Sequence, residues 1–281
     1  MSPFPNRIWA FFIFLAFMKR CWIGWVVMLI STAAYGQKDS TEKIEYSGLG
    51  PYASPYRYQD LAMSPLQYRG WMGGLEWSYP TFKARTIDQT DVRLGFGQAS
   101  PSLPAFNLGN NSYNWLIEVD YSLVWKVLPV SRGHLWFGGI SQTVVHGKFH
   151  NGLQNTFLFW DVFGVTGPMA EFSYPVTFKE TTFPLRSRLL IPILGVGFEH
   201  NFNSLYDVHV SEFVGEIMRN PNFIHPGNFT RFRWNTQISA PITNGNRLTL
   251  GYSLDFFSTR YADFPTRFAN QQISLLFDTR L

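Results

Sequence analysis

The sequence predicts an all-β protein, a closed antiparallel transmembrane β-barrel of eight strands, with ten as the alternative count. Three observations carry this: apolar and polar residues alternate strand after strand from Asn114 to the last residue, 18% of the chain is aromatic, and an export signal opens it. The clearest stretch is Asn114 to Lys126. Trp115, Ile117, Val119, Tyr121, Leu123 and Trp125 fall on one face, and Asn114, Glu118, Asp120, Ser122 and Lys126 on the other. Leu116 and Val124 are exceptions on the polar face. Successive side chains of a strand point to opposite faces, so this reads as one lipid-facing row and one row facing a polar interior. A soluble sandwich would turn its polar row outward. The aromatic surplus suits girdles at two membrane interfaces.

Two apolar runs, Ile8 to Phe17 and Cys21 to Ile30, are split by Lys19 and Arg20. Read from Met18, the pattern is a secretory signal: a basic pair, an apolar core from Trp22 to Ile30, then small residues through Ser31, Ala33, Ala34 and Gly36. The expected true start is Met18, with residues 1–36 as the signal and cleavage near Gly36. Neither run reaches the roughly 20 continuous apolar residues of a spanning helix. Removing residues 1–36 takes Arg7, Lys19 and Arg20 and no acid from 23 basic and 19 acidic residues, leaving a net charge of +1. With no basic stripe to neutralise phosphates, nucleic acid is not an expected partner. The single cysteine, Cys21, precedes the apolar core of the signal, so the mature chain is expected to hold no disulfide. Lys38 to Ser64, rich in Tyr, Pro and Gly, reads as a periplasmic lead-in. Residues 37–65 are therefore assigned to that segment and 66–281 to the barrel.

The first expected strand is Leu66 to Tyr79, and the second is Asn114 to Lys126. His134 to His146 follows across the short link Leu128 to Gly133. Met169 to Phe178 sets Ala170, Phe172, Tyr174, Val176 and Phe178 against Glu171, Ser173 and Thr177. Its partner, Arg186 to Phe198, turns Leu189, Ile191 and Ile193 outward and Arg186 and Arg188 inward. A sixth strand sets Phe232, Trp234, Thr236 and Ile238 against Arg231, Arg233, Asn235, Gln237 and Ser239. The turn Thr243-Asn244-Gly245-Asn246 joins it to a row of Leu248, Leu250, Tyr252, Leu254 and Phe256, because Asn-Gly favours the positive φ of a tight hairpin. The last strand alternates Ile273, Leu275, Phe277, Thr279 and Leu281 with Gln272, Ser274, Leu276, Asp278 and Arg280.

The remaining links are long: Pro80 to Ser112, Gly147 to Gly167, Glu199 to Asn228 and Ser258 to Arg267. Short and long links alternate, as periplasmic turns and extracellular loops do in outer-membrane barrels. Eight strands then leave both chain ends in the periplasm. Asp91 to Phe96 and Thr156 to Val165 contain β-favouring residues that would serve as strand extensions or as the extra hairpin of a ten-strand count. Pro175 and Pro192 fall inside expected strands, where a missing N–H breaks a ladder bond, and read as bulge or strand-end positions.

Eight strands enclose a space that their own side chains fill. The inward rows bring Glu118, Asp120, Glu171 and Asp255 together with Arg186, Arg188, Arg231 and Arg233. Buried charges require partners, so the expectation is an acid–arginine network that blocks the lumen, the rival being a narrow ion path made by the same pairs. Chemistry has weaker candidates. His146, His150 and Asn151 gather at a strand end with Ser141 lower on the same strand. Nucleophilic catalysis needs a base within hydrogen-bond reach of the hydroxyl, and an odd spacing puts Ser141 and His146 on opposite faces. A metal bridging His146 and His150 would have to span about 13 Å on an extended strand. His200, His209 and His225 have no ligand spacing, and Gly70-Trp71-Met72-Gly73-Gly74 lacks the lysine of a phosphate loop. No metal and no cofactor are expected. The loops offer binding surfaces: Ser211 to Arg219 fits a short helix with Phe213 and Ile217 on one face, and Thr156 to Phe163 is unusually apolar for a loop.

The signal, the strand alternation, the alternating link lengths and the C-terminal row ending at Leu281 together resemble the small bacterial outer-membrane barrels, including the OmpA-like group. The resemblance covers the whole mature chain, which departs from it in lacking the usual final aromatic residue. It implies insertion by the barrel-assembly machinery and contact with outer-membrane lipid. The function expected is that of a non-enzymatic integral outer-membrane protein, structural or binding a protein partner or ligand through extracellular loops. An outer-membrane lipid hydrolase using His150 or His146 is the second class, and a narrow transport channel the third.

Overall fold

A computed structural model describes residues 43–61, 63–103, 111–150, 158–199, 221–260 and 265–281. The expected signal, residues 1–36 with its start at Met18, lies outside them. The described strands are β1 (Ile44–Asp60), β2 (Ser64–Phe82), β3 (Thr86–Pro101), β4 (Ser112–Val130), β5 (Gly133–His150) and β6 (Leu158–Phe178), then β7 (Thr181–Leu190), β8 (Leu194–Glu199), β9 (Asn222–Ile224), β10 (Phe229–Pro241), β11 (Arg247–Thr259) and β12 (Thr266–Arg280). All pair antiparallel. Neighbours run from β1 through β7 in order, pass to β10, β11 and β12, and return to β1, leaving out only β8 and β9. Ten strands thus close into a ring of hydrogen bonds. β8 pairs with the Asp161–Thr166 part of β6, and β9 pairs with β8.

The count of eight is therefore corrected to ten in the ring and twelve in the sheet. The first strand that sequence reading missed is β1, which occupies most of the segment assigned as a lead-in at 37–65. Pro51 and Pro55 argue against an interior strand because each lacks an N–H. The structure accommodates them where the β1–β12 register skips Gly50–Pro51 and Ser54–Pro55, while pairing with β2 continues. The second is β3, inside the link assigned to Pro80–Ser112. Its inward row includes Gln89, Asp91 and Arg93, a composition that belongs to loops in a soluble protein and to the inside of a closed ring here.

Three further boundaries move, and in one of them the link assigned to Glu199–Asn228 contains β9 near its end. The link Gly147–Gly167 shrinks to residues 151–157, because β5 continues to His150 and β6 starts at Leu158. The strand assigned to Arg186–Phe198 is interrupted at residues 191–193, where Pro192 removes a donor, and becomes β7 and β8. Pro175 stays in β6, opposite Pro184. There the β6–β7 hairpin extends beyond the β5 register, which ends at Ser173, and beyond the β10 register, which ends at Leu185, so no ladder bond is lost on either outer side.

Alternation of burial matches the alternation of sequence. On β12 every second residue from Thr266 to Asp278 is buried and those between are exposed. Trp125, Ile191 and Trp234 are exposed on the outer wall, and Trp115 lies half-buried in the same outer row. Its indole covers Gly147, where a Cβ would come within 2.0 Å of the ring. Inside, Leu116 and Val124 belong to two separate apolar clusters. The larger, at one end, gathers Tyr56, Tyr58, Tyr68, Phe163, Phe229 and Phe268 among others. Gly74 and Gly95 face each other in register and make room for Tyr52, whose hydroxyl would lie 2.1 Å from a Cβ at Gly95.

The two ends of the ring differ. At one end lie the start of β1, the end of β12 and the tight connections 83–85, 131–132, 179–180 and 242–246. Ser131, Lys179, Asn244 and Gly245 take positive φ there. At the other end β1, β3, β5, β8 and β11 finish, ahead of the longer sequence stretches 102–111, 151–157, 200–221 and 260–265 and the short one 61–63. If β1 is an integral wall strand, deleting Ile44–Asp60 opens the ring between β2 and β12. The expected outcome is loss of the compact, heat-modifiable band on gels, whereas a dispensable lead-in would leave that band intact.

Candidate functional site

Among the described residues, buried charge collects in the interior, built from spacing-two pairs on facing strands. Glu118 and Asp120 point inward from β4, Arg231 and Arg233 from β10, Arg93 from β3, Glu76 from β2 and Asp255 from β11; all are buried. β4 and β10 stand on different sides of the ring, and their side chains meet across it. Arg231 donates from Nη2 to Glu118 Oε1 at 2.5 Å and to Asp255 Oδ2 at 2.7 Å. Arg233 donates from Nη1 to Asp120 Oδ2 at 2.7 Å, from Nη2 to Asp255 at 2.5 Å and also to Glu118. Arg93 completes the group with a bond to Glu118 Oε2 at 2.7 Å, its Nε lying 3.7 Å from Glu76. Gln142 and Gln272 supply neutral donors to Asp120 and Glu76, at 3.1 and 2.8 Å.

Two pairs stand beside this centre. Arg186 forms a bidentate pair with Glu171 on the neighbouring strand, at 2.7 and 2.8 Å. Arg188 reaches Asp91 of β3 at 3.3 Å, and Asp91 also accepts from Ser78 and Gln89. The eight residues named from sequence, Glu118, Asp120, Glu171, Asp255, Arg186, Arg188, Arg231 and Arg233, all lie inside the ring. They form three groups rather than one. Glu76, Asp91 and Arg93 were missed, the last two because β3 was read as a link. The signal was present, since Asp91 and Arg93 repeat the spacing-two pattern of Glu118/Asp120 and Arg231/Arg233.

A second polar cluster lies towards the end with the long connections. Lys148 of β5 sets its ammonium between Asp161 of β6, at 2.7 Å, and Asp60 of β1. His146 packs against Tyr58 and Phe268, with Nδ1 3.7 Å from Asp161. His150 Nε2 and the Tyr68 hydroxyl are hydrogen-bonded at 2.9 Å, and Asn114 donates to the Tyr56 hydroxyl at 2.9 Å. These contacts join β4, β5 and β6 to β1 and β2, so the wall is pinned across the interior here as well. Asp60, Lys148 and Asp161 escaped sequence reading because each lay in a segment assigned as lead-in or loop.

The catalytic candidates separate. Ser141 belongs to the outer row of β5, while His146 and His150 point inward and are buried. Ser112, which ends the link assigned to Pro80–Ser112, stands directly opposite His150 in register and is fully buried; its hydroxyl accepts from Asn114 at 3.3 Å. His225 is exposed in a turn, where its Nδ1 accepts from the Gly227 amide. Asn151, His200, His209 and the expected helix Ser211–Arg219 lie outside the described residues.

No protein-family model matches the chain, and no curated protein is similar to it in sequence. Among solved structures it is similar to the outer membrane protease OmpT from Escherichia coli, at 7% identity and a TM-score of 0.48, over 88% of this chain and 99% of that one. It is similar to Neisserial surface protein A at 8% identity and a TM-score of 0.34, over 84% and 97%. For the translocator domain of the autotransporter NalP from Neisseria meningitidis the values are 9% and 0.37, over 94% and 96%. At these values the likenesses assign neither a family nor an activity.

The Arg186–Glu171 pair tests what the buried charges contribute. Arg186→Met alone strands a buried carboxylate and is expected to cost about 3–5 kcal/mol. Adding Glu171→Leu removes that stranded charge and is expected to recover most of the loss. Urea unfolding in lipid vesicles measures both, and a double variant as unstable as the single one would contradict the assignment.

Proposed function

We propose that the protein is an integral outer-membrane β-barrel with a closed lumen, non-enzymatic, acting as a structural or partner-binding protein through its long connections. The observation that carries this is the inversion of polarity around the ring. Leucine, isoleucine and aromatic side chains such as Leu250, Ile273 and Phe277 are exposed on the outer wall, while arginines and carboxylates are buried inside. In water that arrangement has the wrong sign; in a bilayer it satisfies both solvents, because the ring pairs its ten strands with one another and, among the described strands, β9 alone ends the sheet with a free edge. An even number of ring strands, with β1 starting and β12 ending among the tight turns, supports a periplasmic position for both. The long connections are then extracellular, and insertion falls to the barrel-assembly machinery.

Cross-lumen ion pairs support a structural role for the interior over a channel. Arginine forks that bridge carboxylates on facing strands hold the walls together and occupy the path that an ion would take. The geometry gives the hydrolase reading little to work with. Ser141 faces away from both histidines. Ser112 is enclosed, and the His150 ring is engaged by Tyr68. A partner-binding role draws its support from composition, since Phe202, Tyr206, Phe213 and Ile217 crowd one connection and Phe223 beyond it is exposed.

Two measurements test this reading. Purified protein in a planar bilayer is expected to give no steady conductance, and a stable open current would overturn the closed lumen. Phospholipid and lipid A are expected to remain intact on incubation. Turnover abolished by His150→Ala, His146→Ala or Ser112→Ala would replace the proposal with a hydrolase.

A further inference from the structure

The outer wall carries a feature that neither the strand pairing nor the lumen uses. Arg57 of β1 and Arg69 of β2 are directly opposed in register, and both are exposed on the outside of the ring. Like charges placed directly opposite on a sheet destabilise it. One outward row nearer the long connections, Gln59 is paired with Gln67 on one side and with Arg267 of β12 on the other, and Arg267 is exposed too. Among the described residues no ion pair involves any of these three arginines. The wall positions beside them in register are Ser100, Ala269 and Ser258, none of them acidic.

On the other side of this patch, towards the middle of the wall, the surface recedes into a groove of about 730 Å³ whose lining includes Pro55, Trp71, Phe256 and Ala269 with Arg57 and Arg69, and one acid, Asp255, which is buried and bonded to Arg231 and Arg233 inside the ring. Pro55 and Ala269 are short and form its floor; Trp71 and Phe256 are exposed and tall. An apolar trough with guanidinium groups at one end has the two-part character of a lipid: a chain and an anionic head.

We propose that this patch binds a lipid bearing a phosphomonoester headgroup, with the phosphate held by Arg57, Arg69 and Arg267 and an acyl chain lying in the groove. The inference rests on the outer-membrane reading, which sets this end of the wall at the outer leaflet. A phosphate is the anion that the geometry suits. Directly opposed residues have Cβ atoms roughly 5 Å apart, a spacing at which two forks can reach one tetrahedral group, each offering paired donors. Bound there, the phosphate turns a repulsive pair into two attractive ones. Without it, the guanidinium groups on a wall of Trp71 and Phe256 can only stretch towards the headgroup layer to stay hydrated.

The test uses the full mature chain in neutral-detergent micelles, titrated with diphosphorylated lipid A, with its dephosphorylated form and with inorganic phosphate. Thermal midpoint and the fluorescence of the groove tryptophan are the readouts. Lipid A is expected to raise the midpoint saturably, and Arg57→Gln/Arg69→Gln together are expected to weaken binding at least tenfold. Because the substitution also removes like-charge repulsion, the lipid-free variant is expected to be no less stable than the wild type. Arg132→Gln, at the opposite end, is expected to bind as the wild type does. Equal binding by the double variant, or equal binding of dephosphorylated lipid, would overturn the proposal. So would saturation by inorganic phosphate at the lipid's own concentration. An epitope inserted at residues 151–157 and probed on whole cells reads the orientation separately, so failure of the lipid site and failure of the membrane assignment are told apart.

Discussion

The structure depends on one constraint: a ring of ten strands has an inside that water cannot reach freely, and every second side chain must go there. Arg231 and Arg233 answer that constraint by reaching from β10 to Glu118 and Asp120 on β4. Desolvating so many charges is costly, and ion pairs in a low-dielectric interior repay that cost only when geometry is good and the remaining donors are used. Here Arg233 contacts Glu118, Asp120 and Asp255 together, and glutamine amides serve the acids that arginine leaves partly free. Arginine suits this role better than lysine because its planar fork engages two carboxylates at once. A shift of any one strand by a single residue would turn its charges to the outside of the ring, so the network also fixes register.

Apolar side chains inside the ring complete the closure. Tyr58, Tyr68, Phe163 and Phe268 pack at the end with the long connections, and Ile87, Trp136 and Met169 belong to a second cluster. Polar contacts are set among these rings, from Tyr68 with His150 to Lys148 with two aspartates, while the Tyr58 hydroxyl and the His146 ring nitrogens are buried without a hydrogen-bond partner among the described residues. Of the histidines singled out in the sequence, His150 bonds Tyr68 and His146 lies against Tyr58 and Phe268 with Asp161 3.7 Å away.

Period two was legible wherever a strand kept polar and apolar residues on opposite faces, as β10, β11 and β12 do. It failed where the inward face was itself mixed. In β5 and β6 the inward rows combine Val144, Phe163 and Trp136 with Lys148, His150 and Asp161, so the polarity contrast that marks a strand vanished towards the long connections. β1 was hidden for a different reason. Its inward row of Tyr52, Tyr56 and Tyr58 is aromatic, its outer row includes Pro51, Pro55 and Arg57, and the prolines argue against the very strand that closes the ring. In β3 the evidence was charge at spacing two. Asp91 and Arg93 mark an inward face as surely as Arg231 and Arg233 once a polar interior is assumed. The membrane reading therefore has to come before the strand count.

If the interior serves to hold the walls together, as proposed, the chemistry offered to the surroundings lies on the surfaces. The outer wall is mostly uniform, a belt of leucine, isoleucine and aromatic side chains that any apolar chain can cover. Arg57 and Arg69 break that uniformity at a position where the sheet itself gains nothing from them, because each is opposed by a like charge. The inside of the ring shows that this chain answers arginine with carboxylate wherever burial demands it. On the outer wall no acid is supplied by the neighbouring strands, although Gln59, Gln67 and Gln271 occupy positions from which an acid would serve. On the outer-membrane proposal, an unanswered pair beside an apolar groove draws its counter-charge from the medium, and the component of a bilayer that combines an anion with a chain is its lipid.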